Sequence, residues 1–329
     1  MTTHQRWQEE SMMAGHGSPG WARSIVCGLA LVLAGGCATR QTDKANASAI
    51  AQYSFAITCD MRQFTAPEYP GPKYFDGACA ALREVGEGAF MIIPGDFDPP
   101  ERTRATLDRF FGTNYPCYAI AGNHEAETDA DMIWLRQWAS NGIPGLVRSG
   151  PPGAETTMYS FDYGNSHFIA FNQYYDGTKD TELADKAGQA SLDWLAADLA
   201  ATKQPLIWMI GHEPIASQPD MDTGRLRHEH DSMNANPGLR DQFVQLLNQH
   251  KVTGFLCGHT HNASVAKVEG IWQLDAGHAR GVGDKGSPST FLKVRVKGAE
   301  AWVDVYRADA NGENYRLRRT VDLTDAAGS

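Results

Sequence analysis

Five short apolar runs punctuate the chain: Tyr53 to Cys59, Phe90 to Pro94, Tyr115 to Ala121, Pro205 to Ile210 and Val252 to Cys257. Runs of this length bounded by turn-forming residues predict buried strands. Between and after them, 75–85, 101–111, 130–140, 187–202 and 238–250 carry apolar residues at helical spacing. Leu192, Trp194, Leu195 and Leu199 fall at that spacing, which reads as core contact and not as a binding stripe. Met158 to Tyr163 and His167 to Asn172 flank Gly164-Asn165, a hairpin signal. Downstream the pattern becomes all strand, at 271–276, 290–296, 301–307 and 315–323, with turns at Gly298 and Asn311-Gly312. This order predicts an α/β domain, an inner mixed sheet with helices outside, closed by a second antiparallel sheet. Two long irregular segments, 173–186 and 213–237, are left over, and long loops on such scaffolds are often functional.

Each of the five runs leads into a polar motif. In order these are Asp60-Met61-Arg62, Gly95-Asp96-Phe97-Asp98, Gly122-Asn123-His124-Glu125, Gly211-His212-Glu213 and Gly258-His259-Thr260-His261. Carboxylates, an amide and imidazoles thereby collect at the carboxyl ends of strands, where sheets of this kind gather ligands. That donor set, with no thiolate, suits Mn, Fe or Zn. In an extended segment His259 and His261 project to the same side. Any one motif reads equally well as ordinary turn chemistry. Five in this order do not.

The ordered set resembles the calcineurin-like metallophosphoesterase superfamily, which includes purple acid phosphatases and cyclic-nucleotide phosphodiesterases, over about residues 55–280. The resemblance implies a four-layer α/β/β/α sandwich with two mixed β-sheets flanked by helices. It also implies two divalent or trivalent metal ions, with Asp96 bridging both. Asn123, His212 and His259 would complete one metal, and Asp60 and His261 would belong to the other. Two ions roughly 3.5–4 Å apart bind a phosphoryl oxygen and activate a bridging water for in-line attack. His124 would be catalytic, contacting the leaving-group oxygen as general acid or transition-state stabiliser.

Two departures stand out. The first motif is usually Asp-x-His, but Arg62 stands third, and a guanidinium has no lone pair to give a metal. Arg62 therefore binds substrate phosphate, weakens the second metal site or points outward; the residues alone leave all three open. Pro99 stands where many relatives carry Asp or Tyr, so the tyrosine ligand of purple acid phosphatases is missing from its usual place. Asp98 shares its side of the backbone with Asp96 and is open to orienting His124, binding metal or capping the next helix. His278 and Arg280, at another strand end, are candidates for holding substrate phosphate. His228-Glu229-His230-Asp231 reads as a solvated loop, and Tyr174-Tyr175 as a surface for stacking a substrate ring.

Composition narrows the partners. The chain has 329 residues, 42% hydrophobic, and a net charge of -10 with no Lys/Arg-rich run. A large nucleic-acid-binding surface is therefore not expected. Residues 1–37 read as a signal peptide of lipoprotein type: Arg23, the apolar 25–33 stretch, then Leu33-Ala34-Gly35-Gly36-Cys37. A polar tether (38–50) and one metallophosphoesterase domain (51–329) would follow, at the bacterial cell envelope and on the membrane only through lipid on Cys37. Cys59, Cys79, Cys117 and Cys257 show no zinc spacing; Cys59 and Cys257 read as buried thiols, and pairing of Cys79 with Cys117 is open. The leading function is metal-dependent hydrolysis of a small phosphomonoester or phosphodiester by a metal-bound hydroxide. The alternatives are a metal- or phosphate-binding protein with impaired catalysis, and a hydrolase of a phosphoanhydride or phosphonate.

Overall fold

A computed structural model of the chain describes residues 52–65, 67–181 and 187–324. The expected signal peptide, the tether and Cys37 lie outside the described residues. The strands form two mixed sheets. The six-stranded sheet contains β1 (Gln52–Ile57), β2 (Met91–Ile93), β3 (Cys117–Ala119), β11 (Thr290–Lys297), β12 (Glu300–Arg307) and β13 (Arg316–Asp322), in the order β13-β12-β11-β1-β2-β3. The seven-stranded sheet contains β4 (Leu146–Ser149), β5 (Tyr159–Tyr163), β6 (Ser166–Ala170), β7 (Leu206–Ile210), β8 (Gly254–Cys257), β9 (Ala263–Val268) and β10 (Ile271–Ala276), in the order β4-β5-β6-β7-β8-β10-β9.

The separate antiparallel sheet expected from the C-terminal strands does not form. β11 pairs antiparallel with β1, Ile57 opposite Leu292, so β11 to β13 complete the first sheet. β10 instead runs parallel beside β8 in the second sheet. Apolar patterning shows that a strand is buried but not which edge it will join. β4 and β9 escaped the sequence pattern for a related reason. β4 is a largely exposed edge strand, and β9 starts directly after His261-Asn262 with no apolar run to announce it.

Strand alternation builds the layers. Phe55 and Ile57 of β1 meet Phe168 and Trp208 of the opposite sheet in the central core, together with Ile210, Leu256 and Leu292. Ala56, Met91 and Ile93 point the other way, against α1 (Phe75–Val85), α2 (Pro100–Phe111) and α4 (Asp129–Ser140). Ile207 and Met209 of β7 likewise face α5 (Gln189–Ala201) and α6 (Pro237–Gln249). Helix starts follow local chemistry: Pro100 and Pro237 sit in first turns, and the Asn236 side chain accepts the Leu239 N–H to cap α6. The result is the α/β/β/α sandwich. Cys59, Cys79, Cys117 and Cys257 are all buried free thiols, which closes the question of a Cys79–Cys117 pair.

β1, β2 and β3 run parallel, as do β6, β7, β8 and β10. Asp60, Asp96 and Asn123 leave the first group at its carboxyl ends, and His212, His259 and His278 leave the second.

Candidate metal centre

The turns that present these residues are unusually tight. Asp60, Arg62, Asp96, His259 and His261 all adopt positive φ, between 47° and 69°. Each such residue costs on the order of 1–3 kcal/mol, a strain that clusters at functional sites. Two motif glycines are required by crowding. A Cβ on Gly122 would collide with Asp96 Oδ1, and one on Gly258 with Asp60 Oδ2 and Cys59 Sγ.

Glu125 holds two of these turns together. It lies in the first turn of the short helix α3 (Asn123–Ala126), three residues after the capping Gly122, and is fully buried. Its carboxylate accepts the N–H groups of Asp96 (2.9 Å), Phe97 (2.7 Å) and Gly122 (2.7 Å). Burial, with Asp96 and Asp98 nearby, pushes its carboxyl up to about 8 against the pull of those donors.

Asp60, Asp96 and His212 bring ligand atoms within 4.8 Å of one another, all buried. His212 Nε2 lies 3.4 Å from Asp96 Oδ1, and His261 Nε2 lies 3.3 Å from Asp60 Oδ1. His212 Nδ1 is 2.7 Å from the Pro94 carbonyl, which can only accept, so Nδ1 carries the proton and Nε2 faces the carboxylates. His212 Nε2, His259 Nε2 and Asp60 Oδ1 are buried and make no hydrogen bond. Two of these orphans belong to the Asp60–Asp96–His212 cluster and the third to the adjoining His259 ring, and buried polar atoms left unsatisfied in this way call for a cation. Burial would push His212 down, but Asp96 and Asp60 lift it up to about 9, so the same field that would hold a proton there suits a metal in its place. Burial, reinforced by His212 and His228, keeps His259 well below the usual imidazole range and therefore neutral. The Asn123 amide nitrogen donates to Glu127 Oε1 at 3.1 Å, which leaves the amide oxygen for a ligand role. Asp96, Asn123, His212 and His259 thus fit a metal ion by donor type, and the two imidazoles by their unsatisfied nitrogens as well.

The Asp60 and His261 side is different. His261 Nδ1 lies 2.7 Å from Asp284 Oδ2, and its Nε2 faces Arg280 Nη2 at 3.0 Å. Arg280 Nε also donates to the Asp60 carbonyl. Burial would raise Asp60, but His261, His212 and Arg280 hold it below the usual carboxylate range. The fit of a second ion here is poor, since the Arg280 guanidinium already stands at His261 Nε2 and the Arg227 guanidinium at its Nδ1.

His124 sits beside this centre. Its Nε2 is 3.7 Å from Asp96 Oδ2 and its Nδ1 is 3.0 Å from Glu127 Oε2. Glu127 carries no motif signal; only its position three residues along a helix from His124 hints at contact. Asp98 neither caps α2 nor touches His124, because Arg62 takes it in a two-point ion pair at 3.0 and 3.4 Å. His278 is fully buried, with one nitrogen facing the Ser287 carbonyl and the other accepting the Arg280 N–H. It supports the Arg280 turn and has no nitrogen left for substrate, contrary to the expectation from sequence. Arg280 reaches the centre but is 8% exposed and engaged by protein groups. Tyr174 and Tyr175 are buried and bonded to Glu213 and the Pro152 carbonyl, so neither offers a ring for stacking.

The loop read as solvated also belongs here. His228 lies 4.2 Å from His259, ring to ring, and with Asp231 it forms a second group with metal-ligand spacing. Arg225 of the same loop bonds Asp284 and the His261 carbonyl. Loop residues distant in sequence from their partners leave no local signal of such contacts.

The calcineurin-like phosphoesterase family model matches residues 56–263, and the chain belongs to that family. Membership implies a dinuclear divalent metal centre and a metal-dependent phosphoesterase in general terms. Tartrate-resistant acid phosphatase type 5 of Sus scrofa is 35% identical over 167 residues, which cover 47% of this chain and 44% of the relative. The chain therefore matches less than half the length of that relative. Among solved structures, one described as PhoD superposes with a TM-score of 0.55 at 12% identity, covering 83% of this chain and 70% of that one. GAP50, the anchor in the inner membrane complex of Plasmodium, superposes with a TM-score of 0.51 at 13% identity, covering 83% and 89%. At these identities the structures speak for the fold.

Proposed function

We propose that the chain hydrolyses a small phosphomonoester or phosphodiester at a centre built from Asp60, Asp96, Asn123, His212, His259 and His261, with His124 at the leaving-group oxygen. What supports this most is the buried cluster of Asp60, Asp96 and His212, in which His212 Nε2 and Asp60 Oδ1 make no hydrogen bond, with the His259 ring, its Nε2 likewise unpaired, 5.1 Å from that of His212. A metal ion there supplies Lewis-acid polarisation of a phosphoryl oxygen and acidifies water. The chain's own residues do the rest. Glu125 fixes the Asp96 and Gly122 turns through its three accepted N–H bonds. Glu127, on His124 Nδ1, turns the opposite ring nitrogen toward the site, where it can give a proton to the departing oxygen. The relative of 35% identity is named as an acid phosphatase, which favours the monoester within this proposal.

The test is hydrolysis of nitrophenyl phosphate and bis(nitrophenyl) phosphate by purified, metal-loaded protein, with and without chelator. Chelator-sensitive turnover of either ester is expected. A protein that holds metal yet turns over neither ester is a binding protein, and the proposal fails.

A further inference from the structure

Resting on that reading, we infer that the Arg280 guanidinium takes the place of one of the two metal ions, so that the site works with a single ion at Asp96, Asn123, His212 and His259 beside a fixed protein cation.

Three relationships carry the inference. The first is at His261. Its Nδ1 lies 2.7 Å from Asp284 Oδ2 and also meets the Arg227 guanidinium, so that edge of the ring is engaged by protein groups. Its Nε2 lies 3.0 Å from Arg280 Nη2 and 3.3 Å from Asp60 Oδ1. A guanidinium stays protonated and has no acceptor, so a metal ion at His261 Nε2 would have to displace the Arg280 cation that already stands there. The second is Arg62, which occupies the position of the usual imidazole ligand and is turned to Asp98. That leaves carboxylate oxygen of Asp60 and Asp96 as the donors on this side, with no imidazole. The third is the asymmetry of satisfaction. On the opposite side both imidazoles, His212 Nε2 and His259 Nε2, are buried with no hydrogen bond, whereas on this side the unsatisfied atom is the carboxylate Asp60 Oδ1 and the imidazole has a guanidinium against it.

Arg280 is built into this position and has not swung in from the surface. It is 8% exposed, its Nε donates to the Asp60 carbonyl, and its backbone N–H is held by His278 Nδ1 at 3.2 Å. Its guanidinium carbon lies 5.9 Å from the centre of the Phe64 ring. The substitution has a chemical consequence. A guanidinium can donate to phosphoryl oxygens and offset charge that builds on them, but it cannot acidify a water molecule as a metal does. Water activation then falls to the single ion, and Arg280 contributes orientation and charge.

The test is a count of ions. Purified full-length protein is equilibrated with excess Mn(II), freed of unbound metal and measured by native mass spectrometry and by electron paramagnetic resonance. One ion per chain with the signal of an isolated Mn(II) is expected. The double variant Arg62→His and Arg280→Met restores the imidazole and frees His261, and it is expected to bind a second ion with an exchange-coupled signal. Two coupled ions in the wild-type chain, or none at all, would overturn the inference. That count needs no variant to fold. A double variant that shows a native melt and still binds one ion would overturn it as well. One bound ion without turnover of any ester defeats the proposed function and leaves this inference standing, whereas two bound ions with turnover does the reverse.

Discussion

Arg62 and Asp98 face each other as a forked ion pair, Nε to Oδ1 at 3.0 Å and Nη2 to Oδ2 at 3.4 Å. Arg62 departs from the family motif, Asp98 stands one position before the departure at Pro99, and the two side chains account for each other. Arg62 gives no lone pair to a metal, and Asp98 supplies the carboxylate that fixes it beside the site. Burial works against the Arg62 charge, but Asp98, Asp96 and Glu125 more than offset it.

The pair is expected to behave as a unit. Both side chains are partly exposed, so solvent screening limits their coupling to about 0.2–1 kcal/mol. In a double-mutant cycle, Arg62→Ala and Asp98→Ala each lower the denaturant midpoint, and the double variant loses less than their sum. Strict additivity in urea unfolding would show that the contact contributes nothing in solution.

Glu125 gives a sharper case. Glu125→Ala strands three buried N–H donors, and an unsatisfied buried donor costs about 1–3 kcal/mol. A loss of at least about 2 kcal/mol in unfolding free energy is expected, together with reduced metal content as the Asp96 turn loosens. A variant that matches the wild type in both measurements would remove Glu125 from its role as the clamp.

Much of this was legible in the sequence, because buried strands and surface helices have strong periods. The predicted helix 75–85 coincides with α1, and the motifs fall at the strand ends where they were expected. What escaped depends on pairing in space. β11 reaches back to β1 across most of the chain, and nothing local in 290–297 names that partner. His228 and Asp284 approach His259 and His261 only through the fold, and His278 reads like a ligand until its two nitrogens are found bonded. Motif residues announce chemistry, but their hydrogen-bond partners decide whether a lone pair is free.

Away from the centre, His167 is buried between two carboxylates, with Nδ1 2.7 Å from Asp162 and Nε2 2.9 Å from Asp198. Arg148 also reaches Asp198, and Gln204 reaches Asp162. Burial alone would lower His167, yet the two carboxylates carry it up to about 9. A raised histidine stabilises the fold fully below its unfolded value near 6.5, and that contribution is lost as pH rises through about 9. The wild type should therefore exceed His167→Gln in stability by up to about 3 kcal/mol at pH 6, and the gap should close toward about pH 10. Thermal melts of both proteins across that range are the measurement. A gap that stays constant with pH would mean that His167 is neutral in the folded chain.

His124 separates chemistry from structure. Its Nδ1 is engaged by Glu127 at 3.0 Å, and its other nitrogen lies 3.7 Å from Asp96 Oδ2, beside the centre and outside the buried ligand cluster. A group so placed can protonate a departing oxygen, and its value depends on how poor that leaving group is. A nitrophenolate leaves with little help, whereas an alkoxide needs the proton. His124→Ala should lower kcat/KM for an alkyl phosphate by about 10²–10⁴-fold and much less for the nitrophenyl ester. Metal content should hardly change. Glu127→Gln, which keeps the shape but weakens the hold on His124, should give the same selectivity in milder form. Equal losses on both esters, accompanied by lost metal, would instead make His124 a ligand or a structural residue.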